Sequence, residues 1–387
     1  MEKRFILAIV LSFVVLLLWQ SFLVKKPTPQ ETASQKITQQ QIHPAVQQKA
    51  RVNEPPSHDE PTQQAEEAIQ PVVSEMEENI IVETSLYRAV WSNKGAVLKS
   101  WRLKQHLDND KETIELVCRQ AGEMNVYPFL LSTDNSEFDR TVNNSLYKPS
   151  QTRLNIQDGR SSELRFDYAD ASGNKVVKTF VFHGGQYDFD VQIKAYRNNQ
   201  TIEPRLVWGP SFGNLSEAEK KNRMSKGTGI AVYPPEKAER RNEKKYDPQK
   251  GNAFNFIQWA AYENNYFAAI FILDPKSSSA VFIKEGPDQS PAYYLSLNHV
   301  QKAFLGPKHH KTLKNWGYQT KKIVNFGFFG VISEILYNAL HAIHHAVPNW
   351  GFSIIILTLF IKILFFPLTY SSTKSMAKMQ GLQPKIK

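Results

Sequence analysis

One cysteine, Cys118, stands in 387 residues. A lone thiol excludes an intrachain disulfide, and Cys118 reads as a small buried hydrophobe. The chain also lacks a G-x-S-x-G elbow and a G-x-x-x-x-G-K phosphate loop. No internal repeat recurs. Carboxylates are numerous, but no spacing pairs two of them as an acid and a base. These absences leave no catalytic residue, cofactor or metal to name. Long apolar runs are scarce as well. Mean hydropathy is −0.42, so membrane-crossing segments must be few and local.

Two such segments exist. Phe5 to Val24 is twenty residues long, interrupted only by Ser12, Gln20 and Ser21. That matches the roughly 20 residues a spanning helix needs. A cleaved signal peptide is the rival reading, but the run is long for one and "WQSFLVKKP" has no small-x-small site. An uncleaved anchor over 1–26 is expected. The second segment is Gly351 to Leu368. Lys374, Lys378, Lys385 and Lys387 follow it, and no Lys or Arg precedes it back to Lys322. The positive-inside rule puts its C-terminal side in the cytoplasm. Two spans then place both termini there and everything between them outside, which in a bacterium is the periplasm. The net charge of +10 is no argument for nucleic acid. Membrane topology and anionic lipid explain its cytoplasmic share.

Residues 27–79 are rich in Gln, Pro, Glu and Ser and read as a disordered tether. Over 80–322 the pattern becomes short alternating runs. The clearest is "NKVVKTFVFHGGQYDFDVQIKAYRN", where Phe180 and Phe182 precede Gly184-Gly185. Tyr187, Phe189, Val191 and Ile193 then alternate with polar residues. A Gly-Gly turn between period-2 runs predicts a β-hairpin, and many such runs predict a large β-sandwich. Ser216 and Glu219 form a capping box for one short helix. The stretch Glu236–Lys250 holds six basic and four acidic side chains and reads as a solvated loop.

Residues 323–348 carry Phe328, Ile332, Ile335, Leu336, Ala339, Leu340 and Ile343 at helical spacing. Ser333, Glu334, Asn338, His341 and His345 mostly take the other side. An amphipathic helix in the outer interface, with Trp350 as a belt residue, is expected. Packing on the sandwich is the alternative that periodicity leaves open. His341 and His345 are an i, i+4 pair without further ligands, so polar histidines are expected rather than a metal site.

Within the second span, 349–370, sits Lys362. An intramembrane charge costs roughly 2.5–3.5 kcal/mol at a helix centre on insertion scales. Lys362 lies six residues before Leu368, about 9 Å from the cytoplasmic end, and snorkelling there is the bland alternative. The helix face favours function. At 100° per residue Thr358, Lys362, Thr369 and Thr373 share a narrow stripe, with Ile355 at its border. Pro367 cannot donate to the Ile363 carbonyl and loosens the helix there. A polar stripe open to the cytoplasm and closed outward suggests a wet half-groove. Such a groove would offset the desolvation of a polar segment crossing hydrocarbon.

The stretch "NWGFSIIILTLFIKILFFPLTYSSTKSMAKMQGLQPKI" (349–386) closely resembles the start of the core of the YidC/Oxa family of membrane protein insertases. "MEKRFILAIVLSFVVLLLWQ" is similar to the family's anchor, and "IQWAAYENNYFAAIFI" (257–272) to a motif of its periplasmic domain. The resemblance implies a membrane-anchored α+β architecture. A periplasmic β-supersandwich, similar to sugar mutarotases but without known enzymatic activity, would lie between two transmembrane helices. It implies nascent membrane proteins as clients, with the Sec translocon and the ribosome as partners, and neither nucleotide nor metal. Lys362 stands where the family generally has an arginine, which keeps the charge and loses the bidentate fork. Residues 371–387 would begin a cytoplasmic helical hairpin. Only the first of the family's five core helices is present, so one chain of this length is expected not to enclose the groove alone, and an anchored periplasmic scaffold binding translocon partners, or a carbohydrate-binding or carbohydrate-active sandwich, stays open as the alternative.

Overall fold

The computed structural model describes residues 72–380 apart from 109, 215–226, 235–236, 287–289 and 325–329. The proposed anchor, most of the tether, the Ser216–Glu219 capping box and residues 381–387 lie outside the described residues. The alternation read around Gly184-Gly185 forms a hairpin. Strand Lys175–His183 pairs antiparallel with Asp188–Arg197, setting Phe182 opposite Phe189 and Phe180 opposite Val191. Gln186 N–H donates to the His183 carbonyl at 3.3 Å across the turn. Gly185 there has φ +77°, a conformation that costs a Cβ-bearing residue about 1–2 kcal/mol.

This hairpin belongs to a ten-stranded sheet. Its order runs Glu239–Asn242, Gly229–Tyr233, Trp259–Glu263, Phe267–Leu273, Val300–Pro307, Asp188–Arg197, Lys175–His183, Ser161–Ala169, Lys148–Pro149, with Gln200–Ile202 paired to Asp188–Arg197 off that path. Two five-stranded sheets complete the β structure. One runs Thr113–Glu115, Val97–Leu107, Tyr87–Ser92, Asn79–Glu83, Arg153–Asn155. The other runs Ala253–Asn255, Ser279–Glu285, Ala292–Leu297, Arg205–Trp208, Leu130–Ser132.

Aromatic contacts show how the layers meet. Trp91 and Trp101 of the first small sheet reach Phe180 and Phe189 of the large one, at centroid separations of 4.4 and 5.5 Å. Trp208 of the second small sheet meets Phe271 at 5.7 Å. Phe129 touches Trp91, Phe180, Trp208 and Phe271 and so sits where the three sheets converge. Trp101 Nε1 donates to the Leu305 carbonyl at 3.1 Å, tying the layers by a polar bond as well. The two small sheets thus pack on one face of the large one, a β-sandwich with an aromatic core. Truncating one of these tryptophans would remove about 3–5 kcal/mol of packing.

Three sequence expectations need adjustment. Residues 72–78, placed in the tether on composition, lie against the sandwich. Val72 N–H donates to the Ala169 carbonyl at 3.0 Å and Ser74 N–H to that of Leu146 at 3.1 Å. Averaging composition over 27–79 hid the short apolar pair Val72-Val73. The solvated loop of Glu236–Lys250 is partly regular, with strand Glu239–Asn242 closing one edge of the large sheet and a 3₁₀ turn over Glu243–Lys245. Cys118 is half-buried where helix α1 (Arg119–Met124) begins, and burial pushes its thiol pKa up. Four further α-helices occur among the described residues: α2 (Ser136–Asn144), α3 (His310–Trp316), α4 (Gly330–Ala346) and α5 (Trp350–Gln380).

Candidate functional site

Helix α5 begins for a local reason. The Asn349 side-chain oxygen accepts from the N–H groups of Gly351 and Phe352 at 2.9 and 3.2 Å, and Ser353 Oγ donates back to the Asn349 carbonyl at 2.8 Å. Such a cap satisfies donors that a helix start leaves unpaired. From there the helix continues without interruption through Pro367 to Gln380. The segment Trp350–Met376 is 27 residues long, its most apolar stretch has a mean hydropathy of 2.3, and it is long and apolar enough to cross a membrane. Ile354, Leu359, Phe360, Ile363, Leu364 and Phe366 are all exposed on it. An apolar helix with so little protein around it needs hydrocarbon or other helices as its surroundings.

The structure places Thr358, Lys362 and Thr369 on this one helix, all exposed. Lys362 has no acidic partner among the described residues. Thr358 Oγ donates to the Ile354 carbonyl at 2.7 Å, Thr369 Oγ to Phe365 at 3.0 Å and Thr373 Oγ to Thr369 at 2.9 Å. The hydroxyl protons are spent on the helix's own backbone, so these threonines face outward chiefly as acceptors. At 100° per residue Phe365 lies about 20° outside the arc shared by Thr358, Lys362, Thr369 and Thr373. The polar lane is therefore flanked on one side by an exposed ring.

Helix α4 and α5 meet at Trp350. Its ring stacks on His344 at 3.7 Å and 10°, and meets the edge of His341 at 5.2 Å. His341 Nδ1 lies 3.0 Å from the Tyr337 carbonyl, and His345 is exposed. On α4, Ile332, Ile335 and Leu336 are exposed. At its other end Glu334 and Tyr337 approach His310 of α3, the carboxylate at 4.0 Å.

Sequence reasoning missed a second site, a cleft of about 1100 Å³ at one end of the large sheet. Arg240, Arg241, Lys244, Lys245, Lys250 and Lys308 line it, against one carboxylate, Glu263. Glu263 is held by Arg240 at 3.1 Å and Lys308 at 2.8 Å. Arg240 also donates to the carbonyls of Lys322 and Ile323, at 3.2 and 2.8 Å. On the far wall His106 lies 5.8 Å from His309 ring to ring, and burial, followed by the neighbouring His309, pulls its pKa down. The run of charge in Glu236–Lys250 was the available signal. Its mixed signs concealed that the strand and turn send the cations into one cleft.

Known proteins match most of the chain. The family model for the YidC periplasmic domain matches residues 79–339, and that for the 60Kd inner membrane protein matches residues 342–387. The membrane protein insertase YidC of Syntrophus aciditrophicus is 30% identical over 410 residues, covering 100% of this chain and 74% of the relative. A crystal structure of an active YidC insertase is similar at 14% identity, with a TM-score of 0.32 over 82% of this chain and 62% of that one. A putative aldose 1-epimerase of Escherichia coli K12 is similar at 11% identity, with a TM-score of 0.35 over 60% of this chain and 99% of that one.

Proposed function

The chain belongs to the YidC family of membrane protein insertases, and on that premise we propose that α5 supplies the client-facing lane of the inserting machinery. Lys362 is the cation of that lane and draws acidic residues of a nascent membrane segment toward it. Thr358 and Thr369 solvate polar groups of the client on either side. The observation that carries this reading is the exposed Lys362 ammonium, without an acidic partner among the described residues, set between apolar neighbours well inside a helix long and apolar enough to cross a membrane. A charge in that setting is costly unless water or a partner meets it. The lane offsets part of the desolvation that otherwise blocks polar segments, and no bond is made or broken.

In this reading α5 crosses the inner membrane with Lys374 and Lys378 in the cytoplasm, an N-terminal anchor makes the protein multi-pass, and the sandwich stands in the periplasm. Helix α4 lies in the outer interface, its exposed Ile332, Ile335 and Leu336 against acyl chains and the Trp350–His344 stack at headgroup level. The ribosome and anionic lipid meet the cytoplasmic side, and the Sec translocon works beside the protein on some clients. No cofactor, metal or nucleic acid takes part.

The test joins this chain to the remaining length of the Syntrophus relative and measures client insertion in cells depleted of their own insertase. Lys362→Ala is expected to lower insertion of a client with an acidic leading segment about tenfold, the equivalent of roughly 1.4 kcal/mol. Lys362→Arg is expected to retain it, because the charge persists. Full insertion by Lys362→Ala overturns the role given to the ammonium.

A further inference from the structure

The motif "IQWAAYENNYFAAIFI" folds as a second hairpin. Trp259–Glu263 pairs antiparallel with Phe267–Leu273, and the intervening Asn264, Asn265 and Tyr266 line the basic cleft. Its strands are core, with Trp259, Ala261, Ile270 and Phe271 fully buried. At the tip the Asn264 side-chain oxygen accepts from the N–H groups of Tyr266 and Phe267, each at 2.9 Å, and closes the turn. The Tyr266 ring, 63% exposed, has no such packing role.

The cations of the cleft divide into two groups. Arg240 is engaged, holding Glu263 and two carbonyls, while Arg241 contacts Glu239 at 3.3 Å and lies over the Phe254 ring at 5.1 Å, its Nε buried without a hydrogen-bond partner among the described residues. Lys250 has Asp247 at 3.7 Å. Lys244 and Lys245, on the 3₁₀ turn, are exposed and have no acidic partner among the described residues. They face the space that Tyr266 and the asparagines border. Bidentate recognition of phosphate draws on arginine, whereas lysine acts as a point charge on a flexible stem. With Arg240 committed and the exposed cations being lysines, dispersed single carboxylates suit the cleft. Among the described residues the strand Glu239–Asn242 is one of the two edges of the large sheet and the one that borders the cleft, the kind of edge an extended peptide can lie along.

We propose that this cleft binds an extended acidic peptide segment, with Lys244 and Lys245 meeting its carboxylates and Tyr266 packing on an apolar or aromatic residue between them. The site is separate from the lane on α5. It would receive an acidic stretch of another polypeptide on the sandwich side of the membrane.

The experiment uses the full chain in nanodiscs of zwitterionic lipid. The probe is a fluorescent peptide of about twelve residues alternating Glu with aliphatic and aromatic residues. Its anisotropy is compared with that of a peptide carrying Gln for every Glu. The acidic peptide is expected to bind and the Gln peptide to fail. Binding should weaken about tenfold on raising salt from about 0.05 to 0.5 M. The Lys244→Ala, Lys245→Ala double variant should weaken it about tenfold, and Tyr266→Ser by a smaller factor. Both changes are at exposed side chains, and unchanged thermal unfolding checks that the fold survives. Equal binding of the two peptides, or acidic-peptide binding indifferent to the lysines, overturns the proposal. So does lysine-dependent binding of polyphosphate or anionic-lipid vesicles with none of the acidic peptide, which would make the cleft a phosphate site.

Discussion

Lys178 occupies an inward position of its strand, between buried Val176 and Phe180, and is itself fully buried. Its ammonium donates to the carbonyls of Gly95, Ala96 and Phe129 at 2.6, 3.2 and 2.7 Å. It pins the turn before Val97–Leu107 and the approach to Leu130–Ser132 onto the large sheet. Burial pushes its pKa from the usual 10.5 down to about 7. Between those values the unfolded chain binds one proton more than the folded one, so stability rises with pH across that window. Below about 7 the burial cost is fully present. The three carbonyls favour the charged form, which keeps the slope under the roughly 1.4 kcal/mol per pH unit of one proton. Lys178→Met is expected to flatten this slope in denaturant titrations between about pH 7.5 and 9.5, a window below the tyrosine range. Lys178→Ala is expected to lower stability by about 2–5 kcal/mol through the cavity and the orphaned carbonyls. A wild type and a Lys178→Met variant with parallel pH profiles would contradict the account. The alternation "NKVVKTFVFH" made the inward parity of Lys178 legible. The partners that make it tolerable stand 49 to 83 residues away in sequence, and no local pattern announces them.

At the scale of elements, legibility followed the range of the interactions. The hairpin at Gly184-Gly185 and the long apolar helix were readable because turn geometry and helical period are local. The placing of Thr358, Lys362 and Thr369 along one line of α5 follows from the same period, with Phe365 flanking that line. The basic cleft was not readable. It is assembled from Glu239–Asn242, the hairpin tip at Asn264–Tyr266, and the segment around Lys308, which meet only through the sheet order. The orientation proposed for α5 rests on the lysines after Leu368 and yields an element-scale prediction. In a Cys118→Ser chain, a cysteine placed by Lys276→Cys on the sandwich should react with a membrane-impermeant maleimide added from outside. One placed by Lys374→Cys should react only after the membrane is opened. The reverse pattern would invert the topology and remove the cytoplasmic opening of the lane.

For the whole molecule, the sandwich and α5 divide the labour proposed here. Arg240 joins Glu263 in the cleft wall to the carbonyls of Lys322 and Ile323, on the way out of the sandwich toward α4. One side chain therefore belongs both to the basic cleft and to the segment that leads to the membrane helix. The central claim remains that one face of α5 meets the client while the opposite face meets lipid. Thr358 and Phe360 are two residues apart and so point about 200° away from each other. The decisive measurement places a photo-crosslinking amino acid at 358 or at 360, in the chain joined to the remaining length of its relative, with a stalled nascent membrane protein present. Adducts to the client from 358 and not from 360 are the predicted result. Client adducts of equal yield from both positions, or from 360 alone, would contradict it.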